Sequence, residues 1–217
     1  MGNALLSAIR PAYNRVRKLA PRKIQSMNGV AVPRLRVTDL ETDHIADWKD
    51  GTVSLTRRAV NPTDTVVDVG GGWGVCTTWA ARQSVTGTVH TYEADPRKHE
   101  ILRETVRLNG VADRVESHET FVTPSMDLPA CDVLVMDCEG AEYDILRSLE
   151  ESYRPREVVV ETHGIYDAPT DDTKSLLSAL GYEIVDEQKA SPYGDVSEDN
   201  RVIWGRRRST TGTDSSD

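Results

Sequence analysis

Three glycines at alternate positions, Gly70, Gly72 and Gly74, follow the apolar run Thr65-Val66-Val67-Asp68-Val69. Positions without a Cβ let backbone amides approach a ligand closely, and the carboxyl end of a first strand is where doubly wound sheets bind nucleotides. Val75 stands where the dinucleotide fingerprint requires its third glycine, so the loop points away from NAD. About twenty residues on, Glu93 closes the next apolar run inside Tyr92-Glu93-Ala94-Asp95-Pro96. A carboxylate at that place accepts both hydroxyls of a ribose. Asp68 is suited to orient the loop or to meet an ammonium group. A tight strand-to-helix turn would also use these glycines, and a surface acid would also explain Glu93. Together the two motifs predict an adenosyl ligand without a pyrophosphate, S-adenosylmethionine.

A second set of chemical groups sits at two later strand ends. Asp137 and Glu139 leave the run Val133-Leu134-Val135-Met136, and Glu161 and His163 leave Val158-Val159-Val160. Parallel strands bring such ends to one edge of a sheet. There His163 has the ordinary pKa of a general base, Asp137 or Glu139 is placed to orient an acceptor, and Glu161 completes the catalytic candidates. Asp137 is also assigned to cofactor binding. No metal set is assigned, although Asp137 or Glu139 with Glu161 would suffice to share a divalent ion. The plainer reading has Glu139 and Glu142 capping the helix that starts at Gly140 or Ala141, and Asp137 bonding only to the glycine-loop backbone.

The stretch Asp137-Cys138-Glu139-Gly140-Ala141-Glu142 resembles the Asp-x-Glu-Gly-x-Glu signature of the FkbM-type methyltransferases. The resemblance runs from about residue 64 to 165. It takes in Asp68-x-Gly70, Glu93-x-Asp95-Pro96, Asn109-Gly110 and Val158-Val159-Val160-Glu161-Thr162-His163. It implies a class I enzyme that uses S-adenosylmethionine, typically to methylate hydroxyls of glycans, lipids or small metabolites. Gly72 and Trp73 depart from the family's usual form, in which small or polar residues such as Ala and Asn are common there.

The elements that must position these groups follow from hydrophobic period. Short β-branched runs alternate with amphipathic stretches from residue 61 onward, the mark of βαβ units and a mainly parallel sheet. Strands are expected at Thr65–Val69, Thr88–Glu93, Arg114–Phe121, Asp132–Asp137, Glu157–Thr162, Tyr182–Asp186 and Arg201–Gly205. Helices are expected at about Val75–Arg82, Pro96–Leu108, Ala141–Leu149 and Asp171–Leu180. The last two strands have no helix between them and therefore form an antiparallel hairpin at the sheet edge. The fold class is α/β, a Rossmann-like doubly wound sheet. Residues 61–206 are its cofactor-binding domain, 1–60 a basic helical extension or cap, and 207–217 a disordered tail. Within the extension, a strand at Val30–Val37 and a helix around Asp39–Lys49 would make a lid.

Composition sets the remaining bounds. The 217 residues suffice for one buried α/β core. No apolar stretch is long enough to cross a bilayer and no secretory pattern opens the chain, so the cytoplasm is expected. Cys76, Cys131 and Cys138 are dispersed and suggest neither zinc nor disulfides. The first 38 residues carry eight basic side chains and no acid, so a net charge of -9 leaves -17 for the remainder. A body that acidic, richer in Arg than Lys, is expected of a protein kept soluble in high salt and raises a haloarchaeal source; an ordinary solvated surface gives the same composition. The basic leader, residues 1–36, has helical period. It docks on the acidic body, meets an anionic partner such as a membrane or RNA, or stays disordered. Alternatives to the hydroxyl-methylating enzyme are therefore an RNA methyltransferase using that arm and a non-catalytic adenosyl-binding scaffold. The acceptor and the oligomeric state are not legible.

Overall fold

In the computed structural model, the described residues are 24–33, 50–163, 169–190 and 200–209. The expected leader helix, the expected helix at residues 39–49 and the tail from residue 210 lie outside them.

A seven-stranded sheet organises the chain. Its strands are β3 (Val66–Val69), β4 (Val89–Glu93), β5 (Val115–Glu119), β6 (Val133–Met136), β7 (Glu157–Thr162), β8 (Tyr182–Lys189) and β9 (Arg201–Arg207), in the order β5-β4-β3-β6-β7-β9-β8. The first five in that order pair in parallel, while β9 runs antiparallel to both β7 and β8. The expected antiparallel hairpin at the edge is present, with β9, the later strand in sequence, inserted inside β8. Every residue of β3, β6 and β7 is buried, which is why these runs read as continuous apolar stretches rather than alternating ones.

Alternate residues of the central strands feed two cores. Val66, Val133, Val135 and Val159 face Leu55, Ala80 and Leu102 on one side. Val67, Leu134, Val158 and Val160 face Ile145, Leu146 and Leu177 on the other. The helices that cover them are α1 (Asp50–Ala59), α2 (Val75–Gln83), α3 (Pro96–Leu108), α4 (Glu142–Ser148) and α5 (Thr170–Ala179). α3 begins as Asp95-Pro96 predicts: the Asp95 side chain caps it by accepting from the Arg97 amide, and Pro96 takes a position where no amide hydrogen is needed.

Two parts of the N-terminal segment differ from the sequence reading. α1 is a helix where none was expected, and Leu55, Ala59 and Val60 belong to the first core, so residues 50–60 pack as part of the sheet body. Of the expected strand at Val30–Val37, residues 34–37 lie outside the described residues, and the rest is β2 (Val30–Pro33), which forms a hairpin with β1 (Ile24–Met27), turned at Asn28-Gly29 with positive φ at both residues, 47° and 73°. Met27, Val30 and Val32 pack with Ile101, Trp73 and Trp79. Asn109 fixes the hairpin to the end of α3: its side-chain amide donates to the Ala31 carbonyl at 2.8 Å, and its carbonyl accepts from the Ala31 amide at 3.1 Å.

Candidate active site

The carboxyl ends of β3, β4 and β6 open into a cleft of about 470 Å³. Asp68, Gly70, Gly72, Glu93 and Asp137 line it, with Gly71, Trp73, Phe121 and Glu139 among their neighbours. Met27 of the hairpin and Thr52 of α1 contribute from outside the sheet.

The glycine loop is shaped by what crowds it. A Cβ on Gly70 would stand 1.9 Å from the Asp137 carbonyl oxygen, and one on Gly71 would stand 2.2 Å from Thr91 Oγ1. Gly74 does not line the cleft; it starts α2 with φ 82° and lies against Leu102. The requirement at Gly71 was missed by a reading that counted only alternate glycines. Most of the loop's amides are committed internally. Gly70 and Gly71 donate to the Tyr92 carbonyl, Gly72 to Glu93 Oε2, and Gly74 to the Gly71 carbonyl. A phosphate cradle needs such amides turned toward the ligand. Their internal use fits a ligand without a pyrophosphate, as Val75 predicts.

Glu93 is 7% exposed and uses both oxygens: Oε2 accepts from the Gly72 amide at 2.8 Å, and Oε1 from the Asp95 amide at 2.7 Å. Each oxygen keeps a second lone pair, enough for a pair of ribose hydroxyls. Asp68, 2% exposed, accepts from Thr77 Oγ1 at 2.5 Å and Thr91 Oγ1 at 3.3 Å, so it anchors the first turn of α2 beneath the loop. The cleft therefore offers a buried carboxylate with free lone pairs, a cramped loop and an apolar wall of Trp73 and Phe121. These are the features a bound S-adenosylmethionine requires.

The sheet brings Asp137, Glu161 and His163 together, as the sequence predicts. His163, 3% exposed, points Nδ1 at Glu142 Oε1 across 3.1 Å. Its Nε2 faces Asp137 Oδ1 at 3.7 Å, Glu139 Oε2 at 3.6 Å and Glu161 Oε1 at 3.6 Å. Glu161 is held in turn by Thr52 Oγ1, which donates to its Oε2 at 2.9 Å. Glu161 and His163 sit beside Asp137 rather than on the cleft wall, both almost wholly buried.

Glu142 is the member whose role the sequence did not disclose. It is fully buried and closes its own loop, accepting from the Cys138 amide through Oε1 and from the Gly140 amide through Oε2. The capping alternative is not realised: the helix has no side-chain cap, and the Glu142 carboxylate instead closes the loop ahead of α4 and bonds to His163. Burial works to raise the Glu142 carboxyl, but the His163 hydrogen bond and the backbone amides outweigh it and hold it below the usual range. Burial likewise opposes charge on His163, and Glu142, Glu161 and Glu139 overcome it, so the imidazole is raised above its ordinary value. Burial, followed by the charge of Glu142, pushes the Cys138 thiol far up, so this sulfur in the cleft stays neutral. Asp137, Glu142 and His163 also present donor atoms within 4.8 Å of one another, close enough to hold a metal ion.

The methyltransferase FkbM domain model matches residues 59–184, more than half of the chain. The chain belongs to the FkbM methyltransferase family. S-adenosylmethionine is the methyl donor of that family, and the cleft suits it. A ribosomal protein L11 methyltransferase of Anoxybacillus flavithermus (strain DSM 21510 / WK1) is 33% identical over 134 residues, which are 61% of this chain and 42% of that protein. The match thus spans less than half of the relative's length. Among solved structures, a putative transferase from Pyrococcus horikoshii superimposes with a TM-score of 0.62 at 17% identity, covering 95% of this chain and 86% of the other. M. jannaschii TYW2 in complex with AdoMet gives 0.59 at 18% identity, covering 86% and 85%. A SAM-dependent O-methyltransferase from Thermotoga maritima gives 0.57 at 16% identity, covering 89% and 80%. At these identities the likeness establishes the shared fold of this FkbM methyltransferase.

Proposed function

We propose that this FkbM methyltransferase methylates a hydroxyl oxygen of a glycan, lipid or small metabolite. The observation that carries the reading is the buried imidazole at the strand ends, hydrogen-bonded to Glu142 through Nδ1 and faced by carboxylates at Nε2. A hydroxyl is a poor nucleophile until its proton has somewhere to go, and this arrangement provides for that at the edge of the cofactor cleft.

When bound, S-adenosylmethionine supplies an electrophilic methyl group on a sulfonium. The chain's own part is to fix geometry and to take one proton. Glu93 and the cramped loop hold the adenosyl group, and Asp137 orients the acceptor hydroxyl. His163 Nε2 receives the hydroxyl proton as the oxygen–carbon bond forms and the carbon–sulfur bond breaks. Glu142, bonded to Nδ1, fixes the tautomer that leaves Nε2 basic, in the manner of an oriented catalytic imidazole. Asp137 and Glu161 then stabilise the imidazolium. Positioning supplies most of the rate in such an in-line displacement.

The test is calorimetric titration with S-adenosylmethionine and S-adenosylhomocysteine, in low and in molar salt, followed by labelled-methyl transfer to glycan, lipid, RNA and protein fractions. Label in a hydroxyl-bearing glycan, lipid or metabolite, lost in His163→Ala with cofactor binding retained, supports the reading. Label in RNA alone favours a nucleic acid acceptor reached through residues 1–36, and cofactor binding without transfer to any fraction favours a scaffold.

A further inference from the structure

A second cluster of donor groups lies outside the cleft. On β4 and the edge strand β5, His90 is in register with Glu116 and Tyr92 with His118. In a parallel pair, residues two apart share a face, so His90, Glu116 and His118 project to the same side. They present donor atoms within 4.8 Å of one another. His90 Nδ1 is 3.3 Å from Glu116 Oε2, and Glu116 is 62% exposed, so the cluster opens to solvent.

The independent observation is an orphaned atom. His118 Nε2 is buried yet has no hydrogen-bond partner among the described residues. A buried ring nitrogen left unsatisfied costs free energy that a ligand would recover. The His118 ring is held in place by stacking on Tyr92, with centroids 4.6 Å apart and planes 17° from parallel.

We propose that His90, Glu116 and His118 form a binding site for one divalent cation of the zinc class. Two imidazoles and one carboxylate make a donor set suited to zinc, cobalt or nickel rather than to magnesium or calcium, which prefer oxygen alone. Three protein ligands leave the fourth tetrahedral position to water, reached from the exposed Glu116 side. The ion clips the edge strand β5 to β4. Tyr92, stacked on His118, also lines the cleft, and Thr120 just beyond β5 donates its amide to the Glu93 carbonyl. An ion there therefore stiffens one wall of the cofactor cleft without touching the acceptor end.

The experiment is titration of the full chain with zinc by calorimetry and with cobalt by visible absorption, which reports tetrahedral coordination. Variants are His118→Ala, His118→Asn, His90→Ala and, at the Asp137, Glu142 and His163 cluster, His163→Ala. One ion per chain is expected, with affinity reduced at least tenfold in each His90 and His118 variant and unchanged in His163→Ala. S-adenosylmethionine binding in the same samples shows that each variant is folded. A folded wild type that binds neither ion overturns the site. So does binding that survives both His118 substitutions or disappears in His163→Ala.

Discussion

The Glu93 carboxylate and the Gly72 amide are joined by a 2.8 Å hydrogen bond, so a carboxylate that lines the cleft also holds the glycine loop. Glu93→Ala removes the acceptor of both the Gly72 and Asp95 amides. Loss of a hydrogen bond to a charged group costs about 1.5–3 kcal/mol, or roughly a ten- to hundredfold loss in affinity. S-adenosylmethionine binding is expected to fall by at least that much, and Glu93→Gln, which keeps one carbonyl acceptor, to fall less. Equal affinities of Glu93→Ala and wild type by calorimetry would contradict the assignment.

Glycine substitutions should separate crowding from backbone strain. Gly71→Ala drives a methyl into Thr91 and Leu102 and is expected to cost about 2–4 kcal/mol of stability. Gly72 has φ 55°, but its nearest non-neighbour atom would be 3.8 Å from an added Cβ, so Gly72→Ala costs only about 1–2 kcal/mol. Denaturant melts of the two variants should rank in that order.

The His163–Glu142 pair gives stability and activity opposite pH trends. His163 is raised above its ordinary 6.5, so its contribution is complete below that value and is lost as pH rises through the folded pKa. Glu142 is lowered below 4.5, so its contribution is present above 4.5 and is lost as pH falls through the folded pKa. The stabilising effect of the pair should therefore peak on the acid side of neutrality. On the proposal that neutral His163 takes the acceptor proton, methyl transfer should rise with pH through its folded pKa. Melting curves over roughly pH 5–9 for wild type and Glu142→Gln test this; the gap between them should narrow toward the alkaline end.

Asn109→Ala should act on the cleft from a distance. Its two bonds to Ala31 hold the hairpin, whose Met27 lines the cleft. Release of the hairpin is expected to cost about 1–2 kcal/mol and to weaken S-adenosylmethionine binding severalfold. Limited proteolysis should then cut first near Asn28-Gly29. Cleavage at an unchanged rate would show that the hairpin is held without Asn109, by its apolar contacts and by the bonds that Trp79 Nε1 and the Arg82 guanidinium donate to the Asn28 and Gly29 carbonyls.

Strong period made most of the sheet legible. β7 spans Glu157–Thr162 in sequence and in structure, because the β-branched run Val158-Val159-Val160, buried on both faces, marks itself. α1 escaped notice because it buries Thr52 and Thr56 along with Val53 and Leu55, which blurs its apolar stripe. The Asn28-Gly29 dipeptide was a readable hairpin signal, obscured by its position within a basic leader. At the site, Glu93, Asp137 and His163 were legible because strand ends announce themselves. Thr52 and Glu142 were not, since their partners lie 109 and 21 residues away and only packing brings them close.

The place of β9 bears on biosynthesis. It is the last of the described strands to leave the ribosome, yet it lies between β7 and β8 and supplies Val202, Ile203 and Trp204 to the interior. Until it emerges, β7 has an unpaired edge and β8 has no neighbour in the sheet. The nascent domain cannot finish its fold while it is still being made, and an arrest or truncation before residue 201 leaves a sticky intermediate rather than a shorter enzyme.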